Sequence, residues 1–234
     1  MRIRTAHIKE VFSSIQGEGI FVGARQIFVR FRDCNLRCIF CDERDNMDSR
    51  DYSPQELFAE VGRLERMKRP HHSVSLTGGE PLLYTPFLKD FLGFLKRGGI
   101  KSYLETNGTL PDKLADIVDQ VDIIAMDFKL PSSTGDRPYW DEHREFLNIA
   151  LKRKVFVKAV VTPTTRTEDI EMSLDIIKKT GEKIPFIIQP VTPLSSSEKK
   201  VEKTELLGFL EFALKNKFED VRIVPQMHKT WGIK

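Results

Sequence analysis

The sequence predicts an α/β protein, a closed or partial βα barrel with mostly parallel strands and helices on the outside. Three observations lead there. Short apolar strands alternate with helical stretches, and strands of that kind are usually parallel and covered by helices. The alternation repeats about every 25 to 30 residues, the length of a βα unit with its loops. Polar residues also stand just after five successive strands, where a parallel barrel gathers them on one rim.

The elements follow in order. Residues 26–31 (QIFVRF) alternate apolar and polar side chains, as a strand does. Ser53-Pro54-Gln55-Glu56 reads as a capping box with Pro at the first helical position, opening a helix that runs to about Met67. Residues 73–76 are a short strand ending in Thr77-Gly78-Gly79-Glu80-Pro81, and a helix over 86–96 is stopped by Gly98-Gly99. Residues 102–104 form a strand ending in Glu105-Thr106-Asn107-Gly108, with a helix after Pro111. Residues 122–126 form a strand ending in Asp127-Phe128-Lys129, followed by a helix over 144–151. The apolar strand 155–161 ends in Thr162-Pro163, and a helix covers 168–179. Strand 186–188 ends in Gln189-Pro190, a helix covers 198–215, and the last strand is 221–224. Residues 46–51 and 194–200 read as polar loops, no stretch reads as a linker, and the whole chain reads as one domain.

Composition narrows the function. Of 234 residues, 30% are charged and 40% hydrophobic, which argues against disorder and fibrous structure. A net charge of +3 gives no argument for nucleic-acid binding. No apolar run approaches the roughly 18 residues of a membrane span. Met1-Arg2-Ile3-Arg4 lacks the apolar core of a signal peptide, so a cytoplasmic protein with no membrane partner is expected.

The three cysteines, Cys34, Cys38 and Cys41, lie in one eight-residue stretch. An odd number excludes a closed disulfide framework, and the spacing suggests a shared metal or cluster. A cubane iron–sulfur cluster takes four ligands, usually thiolates. Three cysteines leave one iron open, as a catalytic centre requires. Zinc on three cysteines with His71 or His72 is the alternative, although neither histidine sits at finger spacing.

The run Cys34-Asn35-Leu36-Arg37-Cys38-Ile39-Phe40-Cys41, with Phe40 before the last cysteine and Gly78-Gly79-Glu80-Pro81 after the second strand, resembles the radical S-adenosylmethionine enzymes. That resemblance spans almost the whole chain. It implies a partial (β/α)6-type barrel and a 4Fe–4S cluster on Cys34, Cys38 and Cys41. It also implies S-adenosylmethionine on the fourth iron, cleaved to a 5′-deoxyadenosyl radical, so that no side chain is the catalyst. A narrower resemblance lies at the two ends. Phe12-Ser13-Ser14-Ile15-Gln16-Gly17-Glu18-Gly19, the stretch 23–31 and Pro225-Gln226-Met227-His228-Lys229 are similar to the 7-carboxy-7-deazaguanine synthase family. It implies ring contraction of 6-carboxy-5,6,7,8-tetrahydropterin with loss of ammonia, feeding queuosine, archaeosine or other deazapurines. It also implies a core with short terminal substrate-binding extensions, a flavodoxin or ferredoxin as electron donor, and a homodimer.

Carried over by residue, the resemblance implies that Ile15, Gln16, Gly17, Glu18 and Thr77 contact substrate. Arg30 would bind its carboxylate, for which a guanidinium fork is suited; a solvated strand residue is the plainer alternative. Phe40, Cys41, Asp42, Gly79 and Glu80 would line S-adenosylmethionine. So would Asp127, Phe128, Lys129, Gln189, Pro190, Val191 and Thr192. Glu105 and Asn107 are cofactor contacts or loop caps, and His228 and Lys229 shape the pocket. The chain departs from the family where a threonine or serine commonly contacts Mg²⁺ two residues after the last cysteine. Here Glu43 stands, a hard oxygen ligand that either holds Mg²⁺ or displaces it. A different small radical enzyme, such as a glycyl-radical activase, and a zinc-stabilised module remain as alternatives.

Overall fold

The computed structural model describes residues 4–43, 48–68, 70–193, 195 and 197–234. Along the chain come β1 (Ala6–Ile15), β2 (Arg25–Phe31), β3 (Arg50–Tyr52), α1 (Pro54–Lys68), β4 (Ser73–Gly78), α2 (Thr85–Arg97), β5 (Ser102–Thr106) and α3 (Pro111–Ala115). Then follow β6 (Ile123–Phe128), α4 (Pro131–Thr134), α5 (Trp140–Ala150), β7 (Lys154–Val161), α6 (Thr167–Lys178), β8 (Phe186–Pro190), α7 (Lys203–Lys215), β9 (Val221–Ile223) and α8 (Met227–Trp231).

The strands join in one sheet of order β3-β1-β2-β4-β5-β6-β7-β8-β9. Every pairing from β2 to β9 is parallel, whereas β1 runs antiparallel to both β2 and β3. The barrel is therefore partial: β3 and β9 are free edges and the sheet does not close.

Strand periodicity divides the two faces, because successive side chains point to opposite sides. On the outer face Ile27, Val29, Phe31, Val74, Leu76, Leu104, Ile124, Met126, Phe128, Val157, Ala159, Val161, Phe186 and Ile188 join the main core. The helices bury matching stripes there: Leu57, Val61 and Leu64 of α1, Phe87, Leu88, Phe91, Leu92 and Leu95 of α2, and Ile170, Leu174 and Ile177 of α6. The inner face changes character along its length. At the amino ends, Tyr103, Ile123, Ala125, Phe156 and Ile187 form a second apolar cluster, plugged by Ile20 and Phe21. Two residues further along each strand, the same face carries Glu105, Asp127, Lys158 and Gln189. The apolar plug thus closes one end and leaves the carboxyl ends polar.

Several elements differ from the sequence reading. The N-terminal strand β1 was not anticipated: a register shift between Ile8 and Glu10 breaks its alternation. Within the supposed loop 46–51, Arg50 and Asp51 belong to the edge strand β3, while residues 46 and 47 lie outside the described residues. In the loop 194–200, residues 194 and 196 also lie outside them. Helix α7 starts at Lys203, not 198, because Glu202 and Glu205 close a capping box. Helix α5 starts at Trp140, ahead of the expected 144, and the helix after Pro111 is only five residues long. The box at Ser53 is present, with the Ser53 amide donating to Glu56 at 2.8 Å and the Glu56 amide to Ser53 Oγ at 3.3 Å. Among the described residues no helix is long and apolar enough to cross a membrane.

Two substitutions separate local from core stability. Phe91→Ala should destabilise the fold by about 3–5 kcal/mol, because a fully buried ring leaves a cavity. Ser53→Ala should cost only about 1 kcal/mol, the value of one cap. Urea unfolding of both variants checks the order; equal costs would contradict the placement of Phe91 in the core.

Candidate active site

The carboxyl ends of the strands surround a cleft of about 1360 Å³, its open mouth included. The cysteine loop forms one wall. It leaves β2 at Phe31 and is clasped at once to the end of β4, where the Gly79 amide donates to the Phe31 carbonyl at 2.8 Å and the Glu80 amide to the Asp33 carbonyl at 2.7 Å. The approach is close enough that a Cβ on Gly79 would collide with the Asp33 carbonyl. Asp33 is anchored by Arg32 Nε at 2.7 Å, His7 at 3.0 Å and the Tyr84 hydroxyl. Burial works to raise its carboxyl, but those partners hold it at about 2.

Glu80 ties three elements together. Its fully buried carboxylate accepts from the Leu82 amide at 3.0 Å, the Thr106 hydroxyl at 2.8 Å and the Asn107 amide at 2.8 Å. Asn107 Nδ2 then donates to Asn35 Oδ1 at 2.8 Å, and Asn35 Nδ2 to Thr109 Oγ1 at 2.9 Å. The loop between Cys34 and Cys38 is thereby fixed to β4 and β5. Further on, the Ile39 amide donates to the Thr134 carbonyl at 3.1 Å, and Leu36, Cys38 and Tyr139 pack together.

A buried charge network crosses the floor. Lys158 pairs with Glu18 and lies 3.9 Å from Asp127, which Lys129 contacts at 2.8 Å. Gln226 Nε2 donates to Glu18 at 2.9 Å. Burial would raise the Glu18 carboxyl, but the Lys158 ammonium outweighs it and holds the group at about 2. Glu105 accepts from Ser75 at 2.9 Å and from Gln16 Nε2 at 3.1 Å, and burial pushes its carboxyl up. Behind this floor His143 stacks on Phe128 with ring centroids 4.7 Å apart.

Most residues singled out from the sequence meet in this one cleft. Ile15, Gln16, Gly17, Glu18, Arg30 and Thr77 line it with Cys34, Cys38, Phe40, Cys41, Asp42, Glu43, Gly79, Asp127, Lys129, Val191 and Thr192. Glu105, Asn107 and His228 line it too. Glu80, Phe128, Gln189, Pro190 and Lys229 do not, although Lys229 pairs with the lining residue Asp42 at 3.0 Å. Glu80 is consumed by its three donors, and Phe128 has outer-face parity and belongs to the core. Lys158 was missed, although a lysine in phase with Phe156 inside an apolar strand marks an inward charge. Gln226, in the terminal motif, was not singled out either.

The donor set suits an iron–sulfur cluster. Three thiols face one cavity, and burial pushes those of Cys34 and Cys38 up, as expected of an apolar pocket. Among the described residues no three His, Cys, Asp or Glu groups converge as on a single metal ion. Three thiols on one cavity match the thiolate ligands that an iron–sulfur cluster takes. Among the described residues Asp127 Oδ1 and Gln189 Oε1 are buried without a hydrogen-bond partner, and Asp127 lines the cleft, where its oxygen can accept from a polar ligand. The residues do not suit Mg²⁺ at Glu43. One Glu43 oxygen lies 3.2 Å from Arg30 and the other 3.4 Å from Lys9, so both face cations already.

The Radical SAM superfamily model matches residues 28–204. The chain is 38% identical to the 7-carboxy-7-deazaguanine synthase of Geobacter sulfurreducens, with 97% of each covered. It is 37% identical to the enzyme of that name from Methanothermobacter thermautotrophicus, over 100% of both. In fold it is similar to the crystal structure of QueE from Escherichia coli, at a TM-score of 0.65 and 21% identity, covering 96% of this chain and 95% of that one. Streptococcus suis SuiB bound to S-adenosylmethionine has a TM-score of 0.62 at 19% identity, covering 83% of this chain and 48% of that one.

His143 sets a pH dependence. Burial lowers its pKa from 6.5 to about 4. Between those values the unfolded chain binds a proton that the folded chain does not, so stability is lost as pH falls through that window. His143→Phe should keep the stack on Phe128 and flatten that loss, by up to about 1.4 kcal/mol per pH unit inside the window. Unfolding curves at pH 7 and 4.5 check it; parallel losses in wild type and variant would contradict the assignment.

Proposed function

This chain belongs to the radical SAM superfamily and, within it, to the 7-carboxy-7-deazaguanine synthase family, and from that membership we propose that it contracts the ring of 6-carboxy-5,6,7,8-tetrahydropterin to 7-carboxy-7-deazaguanine with loss of ammonia. The observation that carries the reading is the shared cleft: the cysteine loop on one wall faces Gln16, Glu18 and Arg30 on the other. When bound, a 4Fe–4S cluster and S-adenosylmethionine supply hydrogen-atom abstraction, the hard step that the protein itself does not perform.

The chain's own residues bind, orient and shield. Cys34, Cys38 and Cys41 would hold the cluster. The Gly78–Gly79 backbone, Phe40, Asp42, Val191 and Thr192 wall in S-adenosylmethionine, with Asp127 Oδ1 as a free acceptor and Lys129 beside it. Glu80 and Phe128 act one layer behind, Glu80 by fixing Thr106 and Asn107 and Phe128 by stacking on His143. Gln189 offers a buried acceptor at the next strand end, and Pro190 ends that strand.

Substrate lies against Ile15, Gln16, Gly17, Glu18 and Thr77, with its carboxylate on Arg30. Both the Glu10 contact at 2.8 Å and the Glu43 contact at 3.2 Å use Arg30 Nη1. Among the described residues that leaves Nε and Nη2, an edge suited to a bidentate carboxylate. Glu10 stands opposite Arg30 in the β1–β2 register, so the guanidinium is oriented before substrate arrives. The plug of Ile20, Phe21 and Tyr103 shuts the lower end of the barrel against water.

No step here runs through a divalent cation. The reading extends to a flavodoxin or ferredoxin as electron donor, a homodimer, and the cytoplasm, whose reducing conditions preserve thiolate ligands. It also takes the chain as one core, with β1 and α8 as the substrate-binding extensions.

Anaerobic turnover of the cluster-loaded protein with dithionite, S-adenosylmethionine and 6-carboxytetrahydropterin tests the proposal. Formation of 7-carboxy-7-deazaguanine is expected; 5′-deoxyadenosine without that product would overturn the substrate. Arg30→Gln should raise KM by about ten-fold or more, roughly the 1.4 kcal/mol of one lost charge-assisted contact, with iron content unchanged. An unaltered KM would remove Arg30 from the carboxylate site.

A further inference from the structure

We propose that this enzyme works without a divalent cation, because the Lys9 ammonium, behind the cleft lining, neutralises Glu43 where Mg²⁺ would sit and leaves Arg30 and Lys234 as the positive charge at the substrate end of the cleft. The inference rests on the ring-contraction reading for its substrate and on the side chains around Glu43 for its charge.

Lys9 lies on β1 and Glu43 two residues after Cys41, far apart in sequence yet in contact. The Lys9 side chain is only 4% exposed, and its ammonium contacts both the Glu43 backbone carbonyl and, at 3.4 Å, its carboxylate. Two Glu43 acceptors thus face an ammonium that water scarcely reaches, which offsets the cost of burying it. The other Glu43 oxygen meets Arg30 at 3.2 Å. Arg30 is held in turn by Glu10, which also pairs with Lys234, and the Arg30 guanidinium and Lys234 ammonium each sit 5.1 Å from the Phe12 ring centroid.

The side chains of this group carry a net positive charge without a metal. Lys9, Arg30 and Lys234 bring three positive side chains; Glu10 and Glu43 bring two negative ones. The surplus is one positive charge, matched to the single carboxylate of the substrate. Mg²⁺ demands a near-octahedral oxygen shell and close contact with its carboxylate. At Glu43 it would have to displace Lys9 or Arg30, or stand against both with two further positive charges.

Two measurements decide the matter, both on cluster-loaded protein stripped of divalent ions. First, turnover in chelator should stay within about two-fold of turnover in millimolar Mg²⁺, since each Glu43 oxygen already faces a cation that the ion would have to displace. Second, Mn²⁺, as a paramagnetic stand-in for Mg²⁺, should keep the full EPR intensity of the aquated ion when wild-type protein and pterin are added. Lys9→Met frees one Glu43 oxygen; it should lose about ten-fold or more of its turnover in chelator, recover with Mg²⁺, and deplete the free Mn²⁺ signal. A wild-type enzyme that fails in chelator and recovers with Mg²⁺, or that binds Mn²⁺ stoichiometrically, would overturn the inference and leave ring contraction standing. So would a Lys9→Met enzyme unaffected by chelator, or one whose loss Mg²⁺ does not restore. If no product forms under any condition, the substrate reading fails, and the Mn²⁺ titration still decides whether wild type holds a cation.

Discussion

The backbone clasp between the end of β4 and the start of the cysteine loop is the constraint on which the site depends. Two amides, of Gly79 and Glu80, reach the carbonyls of Phe31 and Asp33 at 2.8 and 2.7 Å. Any side chain at position 79 would block that approach. Once the clasp is made, the Glu80 side chain turns inward and caps the loop after β5. Asn107 on that loop reaches back to Asn35 between the first two cysteines. The thiols therefore hang on a loop braced on both sides, although it contains no regular secondary structure. A cluster site needs such bracing, because its ligands have to be held apart as well as together.

Parity does the remaining work. The same two-residue period that buries Ile124, Met126 and Phe128 under the helices sends Ile123, Ala125 and Asp127 inward. Inner residues near the amino ends are apolar and pack into a plug; those near the carboxyl ends are polar, and Glu105, Asp127 and Lys158 line the cleft. The cost of burying Lys158, Glu18 and Asp127 is offset by mutual pairing and by hydrogen bonds such as that from Gln226. A low-dielectric floor below and an open mouth above suit chemistry that must exclude water at one end and admit substrate at the other.

Much of this was legible in the sequence because it is local. The βα alternation, the capping box at Ser53, the polar strand ends and the cysteine spacing each occupy a few neighbouring residues. What was not legible depends on distance. The bulge in β1 hides a strand whose place beside β2 is set by pairing, and the Arg50–Tyr52 strand exists only because β1 offers it an edge. Phe128 and Asp127 are adjacent in sequence, yet parity puts one in the core and the other in the cleft. Glu80 belongs to a motif that reads as a ligand contact, but its carboxylate is spent on protein donors. Lys9 and Glu43 carry no mutual signal in sequence, since only the antiparallel packing of β1 brings them together.

The clasp can be tested at a single atom. Gly79→Ala places a methyl where the Asp33 carbonyl lies, and the measurement is iron and sulfide content after anaerobic reconstitution, with circular dichroism as the check that the sheet remains. If the clasp holds the cysteine loop, the variant keeps its secondary structure but retains less than about half of the wild-type iron, because the ligands lose their bracing. A folded Gly79→Ala protein with a full complement of iron would contradict the claim that this backbone contact organises the site.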